Sequence, residues 1–468
     1  MRPSAVALET APTASTSQRQ TLLSRISKYC VYVFEKAVPD PFVFAVILTF
    51  LSAAMAYALT ATRSPLVIAV GWYNGVFNIL TFGFQMVLML VTGSALANSP
   101  AVHRMLLKIA SVAKTPRDAV SLTILIGMVA SWTNWGFGLI ISALLARELA
   151  KRVRMDFGWL VAAAYTGFVV STEGLSGSIA LSQATPGSIL NIAEKTVGHG
   201  LPLRETVFAA FNLIPIAALL ILLPVIFRFT EPAEENSVIA DPDRLRLEDE
   251  PKRPAESGRS LGRWLDHAWI LNVLLIAGGV FGLIGHWKQV GFSIDLNSVI
   301  LIFLLLGLLF HWRPLQYVEA IKKAARVTGP LILQYPLYGG IMGIMTATGL
   351  AVVISKAFIS FSTARTLPFW TYLSSIFITW FIPSGGGHWA VQGPFVLPAA
   401  RDLHASLAGT TMAVAMGESV GNMLQPFFAL PILAIAGIGM RRMMGYMVVT
   451  FVVAFMIFGA SLLLLVPR

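Results

Sequence analysis

The stretch FIPSGGGHWAVQGP, residues 381–394, interrupts one of the most apolar regions of this chain with three consecutive glycines, two prolines, a histidine and a glutamine. A membrane helix satisfies its backbone N–H and C=O groups within itself. A break in hydrocarbon leaves groups that neighbouring helices, water or a ligand must satisfy. The pattern on either side of this stretch says what such a break is for.

The chain has 468 residues, 56% of them hydrophobic and 12% charged, with a mean hydropathy of +0.73. Soluble domains carry about 25% charged residues, so one membrane domain with short tails is expected. Residues 1–40 read as a cytoplasmic tail with an interfacial segment, because they lack the compact apolar core and cleavage site of a signal peptide. The single cysteine, Cys30, excludes an intramolecular disulfide and a cysteine-based metal cluster. The net charge of +11 is read as membrane topology rather than as a nucleic-acid partner.

Segments of about 20 apolar residues cross a bilayer. Nine are placed at 41–60, 80–98, 158–184, 205–229, 268–287, 294–311, 330–350, 406–434 and 443–466. Two more apolar segments, 119–146 and 367–400, hold a polar, Gly-rich centre between short arms. Arms of roughly 12 to 16 residues reach only about 18 to 24 Å, so each segment is expected to be a re-entrant hairpin. With a cytoplasmic N-terminus, 26 of the 34 basic residues then fall on the cytoplasmic side and 8 on the other. That is a strong positive-inside bias.

Residues 230–267 read as a charged cytoplasmic linker between a first membrane repeat, 41–229, and a second region, 268–468. The second region holds a connecting helix and the other repeat. Gln85 lies 249 residues before Gln334, and the hairpin centres SWTNWGFG (131–138) and IPSGGGHW (382–389) follow at about the same spacing. Beyond the hairpins the pairing of Glu173 with Glu418, and of Pro186 with Pro431, gives an offset of 245. One crossing between the halves turns the second upside down. The expected fold is therefore an all-α polytopic membrane protein with two inverted-topology repeats, each holding a re-entrant hairpin and a broken transmembrane helix. The breaks are expected at STEGLSGS (171–178) and GESVGN (417–422).

Such folds bind substrate and ions near the midplane, where discontinuous helices meet. Unwound carbonyls attract a cation, and helix N-termini attract an anion. Gly385, Gly386 and Gly387, with Ser384 before them, are expected to let an anionic ligand approach the backbone; Trp135, Gly136, Ser176 and Ser178 complete the substrate set. His388 is a candidate substrate contact or proton site, and Gln392 an internal tie within the hairpin. Glu173 and Glu418 are the two acidic residues placed inside spans, where an ionisable group marks function by default. With Asn134 and Asn422 they form the candidate cation-coupling set. For each there is a plainer role: Asn134, Ser384 and Asn422 as helix caps, the tryptophans as packing, the carboxylates as structural hydrogen-bond acceptors.

The strings SWTNWGFG, GLSGSIALSQATPG, IPSGGGHWAVQGP and NMLQPFFALP resemble the short-chain fatty acid transporter (AtoE-like) family, within a superfamily of ion-coupled carboxylate carriers. The resemblance runs from about residue 30 to the C-terminus. It implies a multi-pass permease of the bacterial inner membrane for short-chain carboxylates, driven by Na⁺ or H⁺, with a hairpin-bearing domain sliding against a scaffold. No other cofactor is implied, and the implied partners are a small carboxylate and the lipid bilayer; a homodimer is left open. Thr172-Glu173, His388 and Gly421 depart from the family's pattern.

Other classes of function are weaker. Ser384 and His388 are four apart, as a serine nucleophile and its base could be on a helix, but three glycines separate them and no orienting acid is nearby. A passive channel fits inverted repeats with unwound helices less well than alternating access does. Another small organic anion, such as a dicarboxylate, is the alternative substrate.

Overall fold

A computed structural model describes residues 41–232, 237, 239–243, 245, 261–380, 382–425, 427–440 and 443–467. The expected cytoplasmic tail and most of the charged linker lie outside the described residues. Within the described residues every regular element is a helix. The first half contains α1 (Pro41–Leu59), α2 (Pro65–Asn78), α3 (Leu80–Ala97), α4 (Pro100–Ala110), α5 (Pro116–Thr133) and α6 (Trp135–Ala150). It continues with α7 (Phe157–Thr166), α8 (Ser178–Ala184), α9 (Ile192–Val197) and α10 (Ala210–Phe227). After α11 (Leu261–Asp266) and the connecting helix α12 (Trp269–Val290) come α13 (Leu296–His311), α14 (Pro314–Ala325), α15 (Gly329–Thr348) and α16 (Leu350–Phe361). The last five are α17 (Leu367–Thr379), α18 (Gly385–Asp402), α19 (Leu407–Asn422), α20 (Ala429–Ala436) and α21 (Met444–Leu464).

The helix starts carry the repeat. Helices α2 to α8 begin at 65, 80, 100, 116, 135, 157 and 178, and α14 to α20 at 314, 329, 350, 367, 385, 407 and 429. The offset is 249 to 251 throughout, so it does not fall to 245 after the hairpins. Glu173 and Glu418 are consequently not repeat partners. Glu173 lies in the first broken segment, whereas Glu418 lies in a helix, four residues before its end. Four helices of the repeat, α2, α4, α14 and α16, were not read from the sequence. Two of these starts, at α2 and α4, follow the same capping chemistry as α5: Ser64, Ser99 and Thr115 each accept a first-turn N–H and are followed by proline.

Among the described residues five helical stretches are long and apolar enough to cross a bilayer: Phe42–Leu59, Pro65–Ala97, Ala210–Phe227, Trp269–Val290 and Met444–Leu464. Helix α15 bends by 82° into α16. The 16 residues of α13 span about 24 Å. Two further crossings are broken. The first runs from α7 through a 3₁₀ turn at Gly167–Val170, unwinds over 171–177 and resumes as α8. The second is helical through Asn422 and resumes as α20 at Ala429, so the expected break at GESVGN is one segment too early. The glycines of that motif serve close helix packing instead: a Cβ on Gly417 would lie 2.5 Å from Ser375 Cβ, and one on Gly421 would lie 2.8 Å from Thr379 Cβ.

Both hairpins form. In the first, a Cβ on Gly138 would meet Ser131 Cα at 2.3 Å and one on Gly127 would meet Ser142 Oγ at 2.7 Å. These pairs step away from the turn equally, as antiparallel arms must. The turn is a single residue, Asn134, which ends α5 and whose side chain accepts from Phe137 N at 2.9 Å to cap α6. In the second hairpin His388 meets Thr379 and Ser375 across the arms, and Gln392 meets Ser374 and the Thr371 carbonyl.

The helices pack in two groups. One group contains α1 to α3 and α12 to α15, with α2 and α15 in near backbone contact: a Cβ on Gly75 would lie 2.1 Å from the Gly339 carbonyl oxygen. Small residues spaced four apart, Gly71 with Gly75 and Gly339 with Gly343, make this approach possible. The other group contains the hairpins, the broken helices, α10 and α21. The groups meet where α6 packs on α3 and where its repeat partner α18 packs on α15.

Candidate functional site

A narrow cavity of about 30 Å³ lies at this junction. That volume admits one or two waters or a small ion, and a four-carbon acid needs it to widen. The α1–α3 and α12–α15 group contributes only Met86, Leu331 and Tyr335. The hairpin group contributes both hairpin tips (Trp135; Ser384 and Gly385), the first broken segment with its flanks (Phe168, Ser171, Thr172, Gly177, Ser178), and Glu418, Asn422 and Phe428 from the second broken helix. Two hairpin tips and two broken helices therefore converge on one space.

Each break is held by specific bonds. Trp135 N–H donates to Ser176 Oγ at 2.8 Å and Leu175 N–H to the Trp132 carbonyl at 2.7 Å, pinning the first broken segment to the first hairpin. The Tyr165 hydroxyl donates to the Asn422 carbonyl at 2.7 Å, satisfying a carbonyl that the helix end exposes. Thr172 donates to the Ala415 carbonyl at 2.9 Å and contacts the Ser419 hydroxyl, joining the two broken helices. Ser384, the residue before α18, does not cap it. Its hydroxyl donates to Tyr335 OH at 3.1 Å across the junction, so the first-turn N–H groups of α18 have no side-chain acceptor from it.

The three glycines that open α18 face three different neighbours. A Cβ on Gly385 would lie 2.5 Å from Ser178 Oγ and 3.0 Å from Glu418 Oε2, so this glycine faces the cavity. One on Gly386 would meet Phe82 Cε1 at 2.2 Å, and one on Gly387 would meet Tyr338 Cδ2 at 2.3 Å. Of the run, only Gly385 brings its backbone to the cavity; Gly386 and Gly387 fit the hairpin against aromatic rings of α3 and α15.

Glu418 and Asn422 are fully buried one turn apart on α19, and neither carboxylate oxygen nor either amide atom of Asn422 has a well-formed hydrogen bond. Ser171, also buried, has an unpartnered hydroxyl in the same cavity. Glu173 differs. Its oxygens accept from Thr172 Oγ1 at 3.2 Å and Ser419 Oγ at 2.9 Å, and it does not line the cavity.

A family model described as short chain fatty acid transporter matches residues 22–465. The chain belongs to that family. A relative carrying the same family's name in Escherichia coli (strain K12) is 40% identical over 444 residues, covering 95% of this chain and 100% of the relative. One in Haemophilus influenzae is 38% identical over 429 residues, covering 91% of this chain and 96% of that one. The fold is similar to the Alcanivorax borkumensis YdaH transporter, whose topology is described as unusual (TM-score 0.55, 16% identity, 91% of this chain and 98% of that one). It is also similar to Neisseria gonorrhoeae MtrF, of a class of antimetabolite efflux pumps (TM-score 0.57, 15% identity, 94% and 98%). This member of the short-chain fatty acid transporter family is thus a multi-span membrane transporter, not an enzyme.

Of the thirteen residues named from sequence, six line the cavity: Trp135, Ser178, Ser384, Gly385, Glu418 and Asn422. Seven lie elsewhere. Asn134 is a cap, Ser176 an acceptor for the hairpin backbone, and Gly136 packs on Leu90. Gly386, Gly387 and Glu173 are placed as described above. His388 points into its own hairpin, with Nε2 to Gln392 Oε1 at 2.5 Å and Nδ1 to Thr379 Oγ1 at 3.2 Å. It therefore belongs to the internal tie assigned to Gln392. The sequence reading missed Tyr335, Met86, Ser171 and the aromatic pair Phe168 and Phe428 (5.2 Å between rings) as cavity residues. For Tyr335 the available signal was a Tyr-Pro step inside the crossing at 330–350, and Ser171 opens the STEGLSGS break itself.

Proposed function

We propose that this chain is a secondary active transporter that carries short-chain fatty acids or related small monocarboxylates across the bacterial inner membrane, with its N-terminus cytoplasmic. The observation that carries this reading is the cavity where the uncapped start of α18 and the unpartnered Glu418 meet at the junction of the two helix groups. The N-terminus of an 18-residue helix favours an anion. Met86, Leu331, Phe168 and Phe428 offer an apolar wall for a short alkyl chain. No lysine, arginine or histidine lines the cavity among the described residues, so a second carboxylate has no partner there and a monocarboxylate is favoured over a dicarboxylate.

Coupling to Na⁺ or H⁺ resolves the charge problem. An unpaired carboxylate inside the membrane costs several kcal/mol, and a second carboxylate beside Glu418 raises that cost. A cation or proton that travels with the substrate removes it. Alternating access is proposed to come from elevator-like movement of the hairpin group against α1–α3 and α12–α15, a junction that carries few polar bonds at the cavity.

Uptake of a labelled two- to six-carbon monocarboxylate series, with succinate as the dicarboxylate, into proteoliposomes tests this reading. Saturable accumulation driven by a Na⁺ or pH gradient, and strongest for a monocarboxylate, is expected. Non-saturable flux indifferent to both gradients would make the protein a channel, and preferred accumulation of succinate would overturn the substrate assignment. Glu418→Gln is expected to lower net accumulation by about tenfold or more, equivalent to about 1.4 kcal/mol, and to change its ion dependence.

A further inference from the structure

We propose that a Na⁺-sized cation is held between the two broken helices by Ser171 Oγ, the Glu418 carboxylate and the Asn422 amide oxygen, and that the transported carboxylate completes its coordination. The second clause rests on the reading of the cavity as the transport site; the first does not.

Three side chains with unpartnered oxygens border one cavity, and they come from two different elements. Glu418 and Asn422 are fully buried and project from successive turns of α19. Ser171 is 1% exposed and opens the first broken segment. Its neighbour Thr172 donates to the Ala415 carbonyl at 2.9 Å and touches Ser419, which holds this segment against the stretch of α19 that carries Glu418. The Glu418 oxygens, Asn422 Oδ1 and Ser171 Oγ make no well-formed hydrogen bond, although buried polar atoms almost always do. An oxygen-only set of one carboxylate, one amide and one hydroxyl suits a hard cation.

The charge and number of these oxygens narrow the choice. Calcium takes about six to eight oxygens, whereas the fully buried, unpartnered side-chain oxygens at this cavity are four, with one negative charge among them. A proton on Glu418 makes a single O–H donor, enough for one of the two neighbouring oxygens, Asn422 Oδ1 or Ser171 Oγ, but not for both. A monovalent ion uses all of them and still lacks ligands, which water and the substrate carboxylate supply. That carboxylate, at the first turn of α18, lies against Glu418: a methyl at Gly385 would already be 3.0 Å from Oε2. The cation between them turns carboxylate repulsion into a shared contact, so each ligand strengthens the other's binding.

The other acidic and amide candidates do not join the set. Glu173 is bonded to Thr172 and Ser419, and Asn134 Oδ1 accepts the Phe137 N–H.

Purified full-length protein in lipid nanodiscs provides the test, with NaCl, KCl or choline chloride at constant ionic strength and pH. The melting temperature is expected to rise saturably with Na⁺ alone, and ²²Na⁺ binding to tighten when butyrate is added. Ser171→Ala and Glu418→Gln are expected to raise the half-saturating Na⁺ concentration by about tenfold or more, whereas Asn422→Asp, which keeps the oxygen, retains Na⁺ binding. An equal response to Na⁺ and K⁺, or an unchanged Na⁺ response in Glu418→Gln, overturns the cation site. Carboxylate uptake driven by a pH gradient at full rate without Na⁺ overturns it too, and leaves the transport reading intact. Na⁺ binding lost in Ser171→Ala but never altered by any carboxylate upholds the ion site and overturns its link to substrate.

Discussion

Gly386→Ala separates two meanings of the triple glycine, because the structure assigns Gly386 to packing and Gly385 to the cavity. A methyl at Gly386 would sit 2.2 Å from Phe82 Cε1, 2.6 Å from Cζ and 3.2 Å from Tyr335 Cε1. Phe82 is buried and packs edge-on against Tyr335 at 5.8 Å, so it has little room to yield. Overpacking of this kind costs about 1–3 kcal/mol. Phe82→Ala alone costs about 3–5 kcal/mol through the cavity it leaves. The double variant removes the clash and partly fills that cavity, so it is expected to be more stable than the sum of the single changes by about 1–3 kcal/mol. Reversible unfolding in mixed detergent, read as a double-mutant cycle, measures this coupling. Additivity within about 0.5 kcal/mol would refute the packing assignment. Gly385→Ala supplies the contrast: its methyl enters the space beside Ser178 and Glu418, so it is expected to raise the apparent KM for carboxylate uptake, with no relief from Phe82→Ala.

Three further outcomes are expected. With Cys30 replaced by serine, cysteines at Lys114 and Asp402 should label from opposite faces of the membrane, because they flank hairpins that enter from opposite sides; labelling of both from one face contradicts the inverted repeat. His388→Gln retains hydrogen-bonding atoms for Thr379 and Gln392 and should keep uptake within a few-fold, whereas His388→Leu strands Gln392 Oε1 and should cost about 1–3 kcal/mol in stability; a large rise in KM for His388→Gln at unchanged stability would show substrate contact instead. Gly75→Ala pushes a methyl to 2.1 Å from the Gly339 carbonyl and forces α2 from α15, and should lower the melting temperature far more than Gly278→Ala, where nothing lies within 4 Å; equal shifts would remove the role given to close backbone contact.

Hydropathy and charge alone made this chain an all-helical membrane protein. The arm lengths around SWTNWGFG and IPSGGGHW gave the two hairpins, and the spacing near 250 gave the repeat. These features are local or one-dimensional: hydrogen bonding inside hydrocarbon forces helices, short arms cannot cross, and a repeated order of elements survives drift in side chains. Four helices of the repeat escaped notice because α4 and α14 lie in basic loops and α2 and α16 follow apolar runs, so none stands out as a separate span. What only the tertiary structure decided was rotation. Successive residues on a helix point about 100° apart, so GGG at 385–387 faces a carboxylate, a phenyl ring and a tyrosine in turn, and no local pattern says which. The same rotation turns His388 into its hairpin and Tyr335 into the cavity. It also leaves Glu418 unpartnered while Glu173, in the other broken helix, is hydrogen-bonded, because burial against particular neighbours, not residue type, decides which polar atoms go without partners.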